Sequence, residues 1–294
     1  MKKKFVETLN FSLSRKAKVI DENINFYNDI PLLSWIEISP IDACNRKCVF
    51  CPKSDPKIAP DTYKKMDIKL IEKLAKELHE IKFKGTVVFA GYGEPLLNKE
   101  IFKMIDILGD VCKVEITTNG DPLNIKTIQK LKATKLSKLV VSLYDGEHQI
   151  KFFNELFEKS KFDKDKFVLR DRWYKEEDGY GLMLTNRAGT LKLKNKNLPQ
   201  NISKHCFYTH YSVMLDWDGS TYLCTQDWNR KVSSGNIKDK HILDIWNSNL
   251  LKNFREKLKK GDRSSNPCLN CNANGTLHGS KYVKAWDKYY NSKN

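Results

Sequence analysis

Asp42-Ala43-Cys44-Asn45-Arg46-Lys47-Cys48-Val49-Phe50-Cys51-Pro52 is the stretch on which the reading of this chain turns. Its cysteines are spaced C-x3-C-x2-C. Three thiolates set this close in one loop suit a site that needs a fixed trio of sulfurs. A structural zinc ion takes four ligands, and this loop holds no fourth Cys or His. A cubane iron–sulfur cluster held by three cysteines instead leaves one iron without a protein ligand, open to another molecule.

Working outward, residues 32–38 alternate and are β-branched enough for a first strand, which delivers the cysteine loop at its C-terminal end. That is where α/β folds place their chemistry. Downstream, Asp67 is a cap for a helix from Ile68, with Ile68, Ile71, Leu74, Ala75 and Leu78 on one face. Residues 86–90 form a short apolar strand of the parallel type and end in Gly91-Tyr92-Gly93-Glu94-Pro95. Helices are expected over 98–108, 125–131 and 147–157, and strands over 111–118, 138–144, 166–173 and 181–185. The last strand precedes Asn186-Arg187-Ala188-Gly189. This alternation predicts an α/β fold, a parallel sheet with outer helices. Six strands in about 150 residues fall short of a closed eightfold barrel of ~250 residues, so the expectation is a partial (β/α)6 TIM-like barrel.

After Gly189 the pattern changes. Residues 211–224 carry Asp218-Gly219 between two alternating runs, a hairpin signal, with Cys206 ahead of it and Cys224 at its end. One helix is expected over 242–259, burying Leu243, Trp246, Leu250, Leu251 and Phe254, and another over 282–290. Between them stands Pro267-Cys268-Leu269-Asn270-Cys271. Cys206, Cys224, Cys268 and Cys271 make a complete four-thiolate set. On spacing alone, a structural zinc ion is the favoured occupant. The expected organisation is a lead-in over 1–30, a core over 31–200 and a small C-terminal α+β module over 201–294. Cys112 stands alone and is expected in the core.

With 294 residues the chain can bury a sizeable core. No apolar run reaches membrane-span length and no export signal is visible, so a cytoplasmic protein is expected, in a compartment that keeps thiols reduced. The net charge of +16 is spread along a lysine-rich chain. Local clusters at 192–196 and 252–260 read as solvated surface, and a nucleic-acid partner is not expected.

The three-cysteine spacing, with Phe50 before the last Cys, resembles the cluster motif of the radical S-adenosylmethionine (SAM) superfamily. The second set resembles the auxiliary-cluster module of its SPASM/twitch members: Cys206, the hairpin to Cys224, Asp227, Gly235-Asn236-Ile237, Asp244-Ile245-Trp246-Asn247-Ser248, Cys268 and Cys271. Full SPASM modules carry seven cysteines and two clusters. The four here imply one auxiliary [4Fe–4S] cluster. The resemblance implies a [4Fe–4S] cluster on Cys44, Cys48 and Cys51 whose open iron binds SAM. Its reductive cleavage would give a 5′-deoxyadenosyl radical that abstracts hydrogen from substrate. Gly91, Tyr92, Gly93, Glu94 and Pro95 correspond to the motif that holds the SAM amino group. Thr118, Asn119 and Ser142 stand where polar contacts to SAM fall. Arg170, with Arg172 as its rival, is placed to pair with the SAM carboxylate, and Arg187 to touch substrate.

The order of the cysteines further resembles the aminocyclitol dehydrogenase-like members. That implies oxidation of a secondary alcohol on a small sugar- or aminocyclitol-like substrate, with the auxiliary cluster as electron acceptor and a flavodoxin or ferredoxin as electron donor. A maturase acting on a ribosomally made peptide is the first alternative, although about 30 lead-in residues are too few for a leader-binding domain. Redox-neutral sugar epimerisation is another, and needs a hydrogen-donating thiol that only Cys112 is left to supply. A zinc-stabilised binding module leaves Cys44, Cys48 and Cys51 unexplained.

Overall fold

The computed structural model describes residues 13–22, 24–192 and 204–293. Most of the 192–196 basic cluster and part of the lead-in lie outside these. Residues 13–21 are helical (α1) and lead to a small hairpin of β1 (Phe26–Tyr27) and β2 (Ile30–Pro31). There follow β3 (Trp35–Ile38), α2 (Ile68–Glu80), β4 (Thr86–Phe89), α3 (Ile101–Gly109), β5 (Lys113–Thr118) and α4 (Ile125–Lys132). Then come β6 (Lys138–Leu143), α5 (His148–Lys159), β7 (Phe167–Asp171), α6 (Tyr208–Tyr211), β8 (Ser212–Leu215), β9 (Ser220–Tyr222) and β10 (Ser233–Asn236). The chain ends with α7 (Ile242–Trp246), α8 (Asn249–Lys259) and α9 (Ser280–Asn291).

Eight strands form one sheet in the order β10-β9-β8-β3-β4-β5-β6-β7. From β8 to β7 every neighbouring pair is parallel, and β9 and β10 are added antiparallel. Strand alternation separates two faces. Ile36, Ile38, Val87, Phe89, Val114, Ile116, Leu139 and Val141 are fully buried in the main core, with the apolar faces of α2 and α3. The intervening Trp35, Glu37, Val88, Thr117, Ser142 and Arg170 line a single cavity. Alternate residues from five neighbouring strands can share one cavity only if that face is concave, which is the expected partial barrel.

The sixth parallel strand is β8, not residues 181–185. Gly179, Tyr180 and Gly181 all have positive φ (63°, 52° and 70°), a run of turn conformation that no strand accommodates. β8 instead joins the sheet beside β3, with Trp35 opposite Ser212 and Ile38 opposite Leu215. The first strand after residue 200 therefore completes the barrel, and the same sheet runs on into the C-terminal hairpin. The helix expected over 242–259 is two helices. Ser248 caps the second by accepting from the Leu251 N–H at 3.4 Å. The break turns Leu250 outward, while Trp246 and Leu251 stay buried. α2 begins as its sequence predicts, with the Asp67 carboxylate accepting from the Lys69 N–H at 2.9 Å. Among the described residues no helix is long and apolar enough to cross a membrane.

Candidate active site

The loop after β3 brings Cys44, Cys48 and Cys51 to the wall of a cavity of about 450 Å3. Its shape is fixed from behind. The Cys44 N–H donates to Asp61 Oδ1 at 3.1 Å, and the Cys51 N–H to the Cys48 carbonyl at 2.9 Å. Lys53, almost fully buried, stands 3.0 Å from Asp42 Oδ1 and 3.2 Å from Asp61 Oδ1. Phe50 stacks on Tyr144. Burial pushes the Cys44 thiol up to about 11. Burial and then the neighbouring Cys51 and Cys44 sulfurs push Cys48 up to about 12. Burial raises Cys51 as well. Three desolvated sulfurs that oppose one another's ionisation favour a positively charged centre between them, which would deprotonate all three.

Gly91-Tyr92-Gly93-Glu94-Pro95 follows β4 and is stitched to the cysteine loop. The Glu94 N–H donates to the Ala43 carbonyl at 2.8 Å. A Cβ on Gly93 would lie 2.2 Å from the Ile41 oxygen and 2.6 Å from that of Ala43, so this glycine serves the contact between the two loops. The buried Glu94 carboxylate accepts from the Thr118 hydroxyl (2.7 Å), the Asn119 N–H (2.8 Å) and the Leu96 N–H (3.1 Å). Burial nevertheless raises its pKa to about 7. Asn119 Nδ2 in turn donates to Asn45 Oδ1 at 2.8 Å and lies 3.8 Å from Cys44 Sγ. Gly91, Gly93, Glu94, Thr118 and Asn119 share the cavity with the cysteines.

Tyr92 and Pro95 are not among the cavity-lining residues. Pro95 opens a short 3-10 turn. Tyr92 points the other way: its hydroxyl donates to the Asp227 carbonyl at 3.0 Å, and its ring meets Trp228 edge-on at 4.7 Å under the Arg230 guanidinium. Ser142, Arg170, Arg172 and Arg187 all line the cavity. Arg172 Nη1 is used on the carbonyls of Asp171 and Gly181. Arg170 donates to Ser142 Oγ at 3.0 Å, and its buried Nε has no partner. That spare capacity favours Arg170 over Arg172 as an anion fork. Arg187 also keeps a buried Nε without a partner.

Sequence reading missed Glu37. It points from β3 into the cavity and makes no ion pair among the described residues. Burial raises its pKa, with Lys16, Arg187 and Arg170 opposing the rise. The available signal was a lone acid in the apolar run around Trp35-Ile36-Glu37-Ile38. Cys112, as expected, lies away from this site; its Sγ is 3.5 Å from the Leu108 carbonyl.

The second thiol set is assembled from three segments. Cys206 bridges to Gly275, where a Cβ would lie 2.3 Å from Cys206 Sγ. Cys224 follows β9. The Asp227 carboxylate then shapes the turn by accepting from the N–H groups of Lys231 and Val232, each at 3.0 Å. Arg263, absent from the sequence reading, clamps the segments together. It donates to the carbonyls of Lys204 (2.7 Å), Ala273 (2.9 Å), Cys271 (3.0 Å) and His205 (3.1 Å). Burial, and then Cys271, Cys268 and Cys206, raise the Cys224 thiol. Burial pushes Cys206 to about 11, and burial followed by Cys206 pushes Cys268 to about 12. All four sulfurs thus lie within each other's field, and a four-thiolate donor set fits a fully protein-ligated cluster.

Residues 38–163 match the radical SAM superfamily model, and residues 206–272 match the SPASM iron–sulfur cluster-binding domain. The chain is 32% identical to the S-adenosyl-L-methionine-dependent 2-deoxy-scyllo-inosamine dehydrogenase of Niallia circulans, over 82% of this chain and 93% of that protein. The chain belongs to the radical SAM superfamily. Its fold is similar to BtrN in complex with AdoMet and 2-DOIA (TM-score 0.68, 32% identity, 82% of this chain and 94% of that one). It is similar in fold alone to Streptococcus suis SuiB bound to its precursor peptide SuiA (TM-score 0.58, 16% identity, 89% and 73%). This protein is therefore a radical SAM oxidoreductase whose cofactors are SAM and iron–sulfur clusters.

Proposed function

We propose that the enzyme oxidises a secondary alcohol of a small amino-substituted polyol to the ketone. Cys44, Cys48 and Cys51 would hold the SAM-binding cluster and Cys206, Cys224, Cys268 and Cys271 the auxiliary one. The observation that carries this reading is Glu37. It is a half-buried carboxylate with no ion pair among the described residues, in the same cavity as the three-thiol loop, and it suits a substrate ammonium. The similarity to a 2-deoxy-scyllo-inosamine dehydrogenase supports the same substrate class.

When bound, SAM and the clusters supply the hydrogen-abstracting 5′-deoxyadenosyl radical and the acceptor for the electron that the substrate gives up. The chain's own residues bind and orient. Thr118, Asn119 and the Gly91–Pro95 loop shape the SAM side. Arg170, with Nε free, is aligned for the SAM carboxylate. Glu37 would fix the substrate amine, and Arg187 would take a substrate oxygen through its unpaired Nε. Aromatic side chains such as Trp35, Phe50, Tyr144 and Trp228 line the cavity and would limit the water that reaches the reacting carbon once SAM and substrate fill it. Thiolate-held clusters suit the reducing cytoplasm, with a flavodoxin or ferredoxin as the electron donor.

The test is anaerobic turnover of 2-deoxy-scyllo-inosamine by the reconstituted holoenzyme. One ketone per 5′-deoxyadenosine is expected, with the hydrogen of the carbinol carbon recovered in the 5′-deoxyadenosine. Glu37→Gln is expected to raise KM for this amine by about tenfold to a hundredfold, the worth of one charged hydrogen bond. Retention of solvent deuterium with no ketone would indicate epimerisation instead.

A further inference from the structure

One wall of the cavity lies outside both family matches. The first begins at residue 38, yet Leu13, Arg15 and Lys16 of α1 line the same space as Glu37, Arg187 and the cysteine loop. α1 is firmly seated there. Ile20 is fully buried and Arg15 pairs with Glu115 of β5. Asp21 accepts from the Gly279 N–H at 2.8 Å and stands 3.3 Å from His278 Nδ1. The lead-in is thus built into the barrel opening.

What α1 brings is chemically incomplete. Lys16 Nζ stands over the rings of Trp35, Tyr208 and Tyr211 at 4.8, 5.6 and 5.9 Å. It makes no ion pair among the described residues, and Glu37 is the acid whose field it feels most. An ammonium that turns some of its N–H bonds toward aromatic faces has the others available to a ligand. Close by, His278 lines the cavity at 7% exposure with a buried Nε2 that has no partner. The Lys16 charge acts on His278, so the two groups share one end of the space. A buried, unpartnered His278 Nε2 beside a lysine with no ion pair among the described residues calls for ligand atoms at that end of the cavity.

We propose that α1 supplies part of the substrate site: Lys16 donates to a substrate oxygen neighbouring the amine held by Glu37, and His278 Nε2 contacts the same end of the substrate. The Lys16–Glu37 pairing then reads a vicinal amino alcohol, with one group for each function. This rests on the reading that the cavity takes a small amino-substituted polyol.

Reconstituted holoenzyme with SAM, given 2-deoxy-scyllo-inosamine as probe, tests it by two readouts. Lys16→Met is expected to raise KM for the probe by about tenfold to a hundredfold with a much smaller change in kcat, and Lys16→Arg to restore most of the loss. Independently, brief acetylation with an amine reagent is read at Lys16 by mass spectrometry. The probe is expected to slow it several-fold in the wild type while leaving the exposed Lys151 untouched. A wild type that forms ketone while Lys16→Met keeps its KM and the probe gives no protection overturns the role of Lys16 and leaves the dehydrogenase reading standing. Protection without ketone keeps Lys16 in the site and removes the dehydrogenase reading. Neither ketone nor protection removes both.

Discussion

The two thiol sets are built in opposite ways. Cys44, Cys48 and Cys51 come from one continuous loop at the end of β3, and their spacing alone carries the pattern. Cys206, Cys224, Cys268 and Cys271 come from three segments that only the tertiary fold brings together, through the Cys206–Gly275 bridge and the Arg263 clamp. A site coded in one loop survives remote changes as long as the loop keeps its backing. A site coded across segments depends on every contact that gathers them.

The largest expected effect tests the first site. Replacing Cys44, Cys48 and Cys51 by Ala should abolish 5′-deoxyadenosine formation and lower the reconstituted iron content from about eight to about four per chain. Replacing Cys206, Cys224, Cys268 and Cys271 together by Ala should also halve the iron, to about four, but leave SAM cleavage measurable and remove the ketone, because only the acceptor site is lost. If both variants behaved alike, the division of labour between the two sets would be wrong. Gly93→Ala drives a Cβ into the backbone of the cysteine loop and should cost about 3 kcal/mol in thermal unfolding, with weakened SAM binding by equilibrium titration. The smallest effect is at the junction. Arg230 pairs with Asp216 and Asp42, one on each side, and Arg230→Met should cost about 2 kcal/mol in denaturant unfolding, since Asp216 is left buried without its cation.

Legibility in the sequence followed the same division. The αβ alternation from β3 to β7, the Asp67 cap and the loop cysteines could be read because each depends on residues close in sequence. β8 could not be placed, because pairing Ser212 to Trp35 across more than half the chain leaves no local mark, whereas residues 181–185 carried a strand-like composition that the positive-φ run Gly179-Tyr180-Gly181 at its start overrode. Ser142 and Arg170 were readable as polar residues near strand ends, whereas Arg187 was singled out behind a strand at 181–185 that the fold replaces with a turn. Glu37, Lys16 and His278 were not, since a single charged residue in an apolar run or a lead-in helix looks the same whether it meets a cavity or solvent. Arg263 was missed because its partners are backbone carbonyls, which any sequence supplies.

Tyr92 sits inside the loop that faces the SAM side, yet its ring and hydroxyl are spent on Trp228 and the Asp227 carbonyl beside the other thiol set. Together with the Arg230 pairs to Asp42 and Asp216, this one side chain ties the loop after β4 to the segment that follows Cys224. Shortening that side chain to Leu would remove both the hydroxyl's bond to the Asp227 carbonyl and the edge-on contact with Trp228, and so loosen the seat of the one loop upon the other.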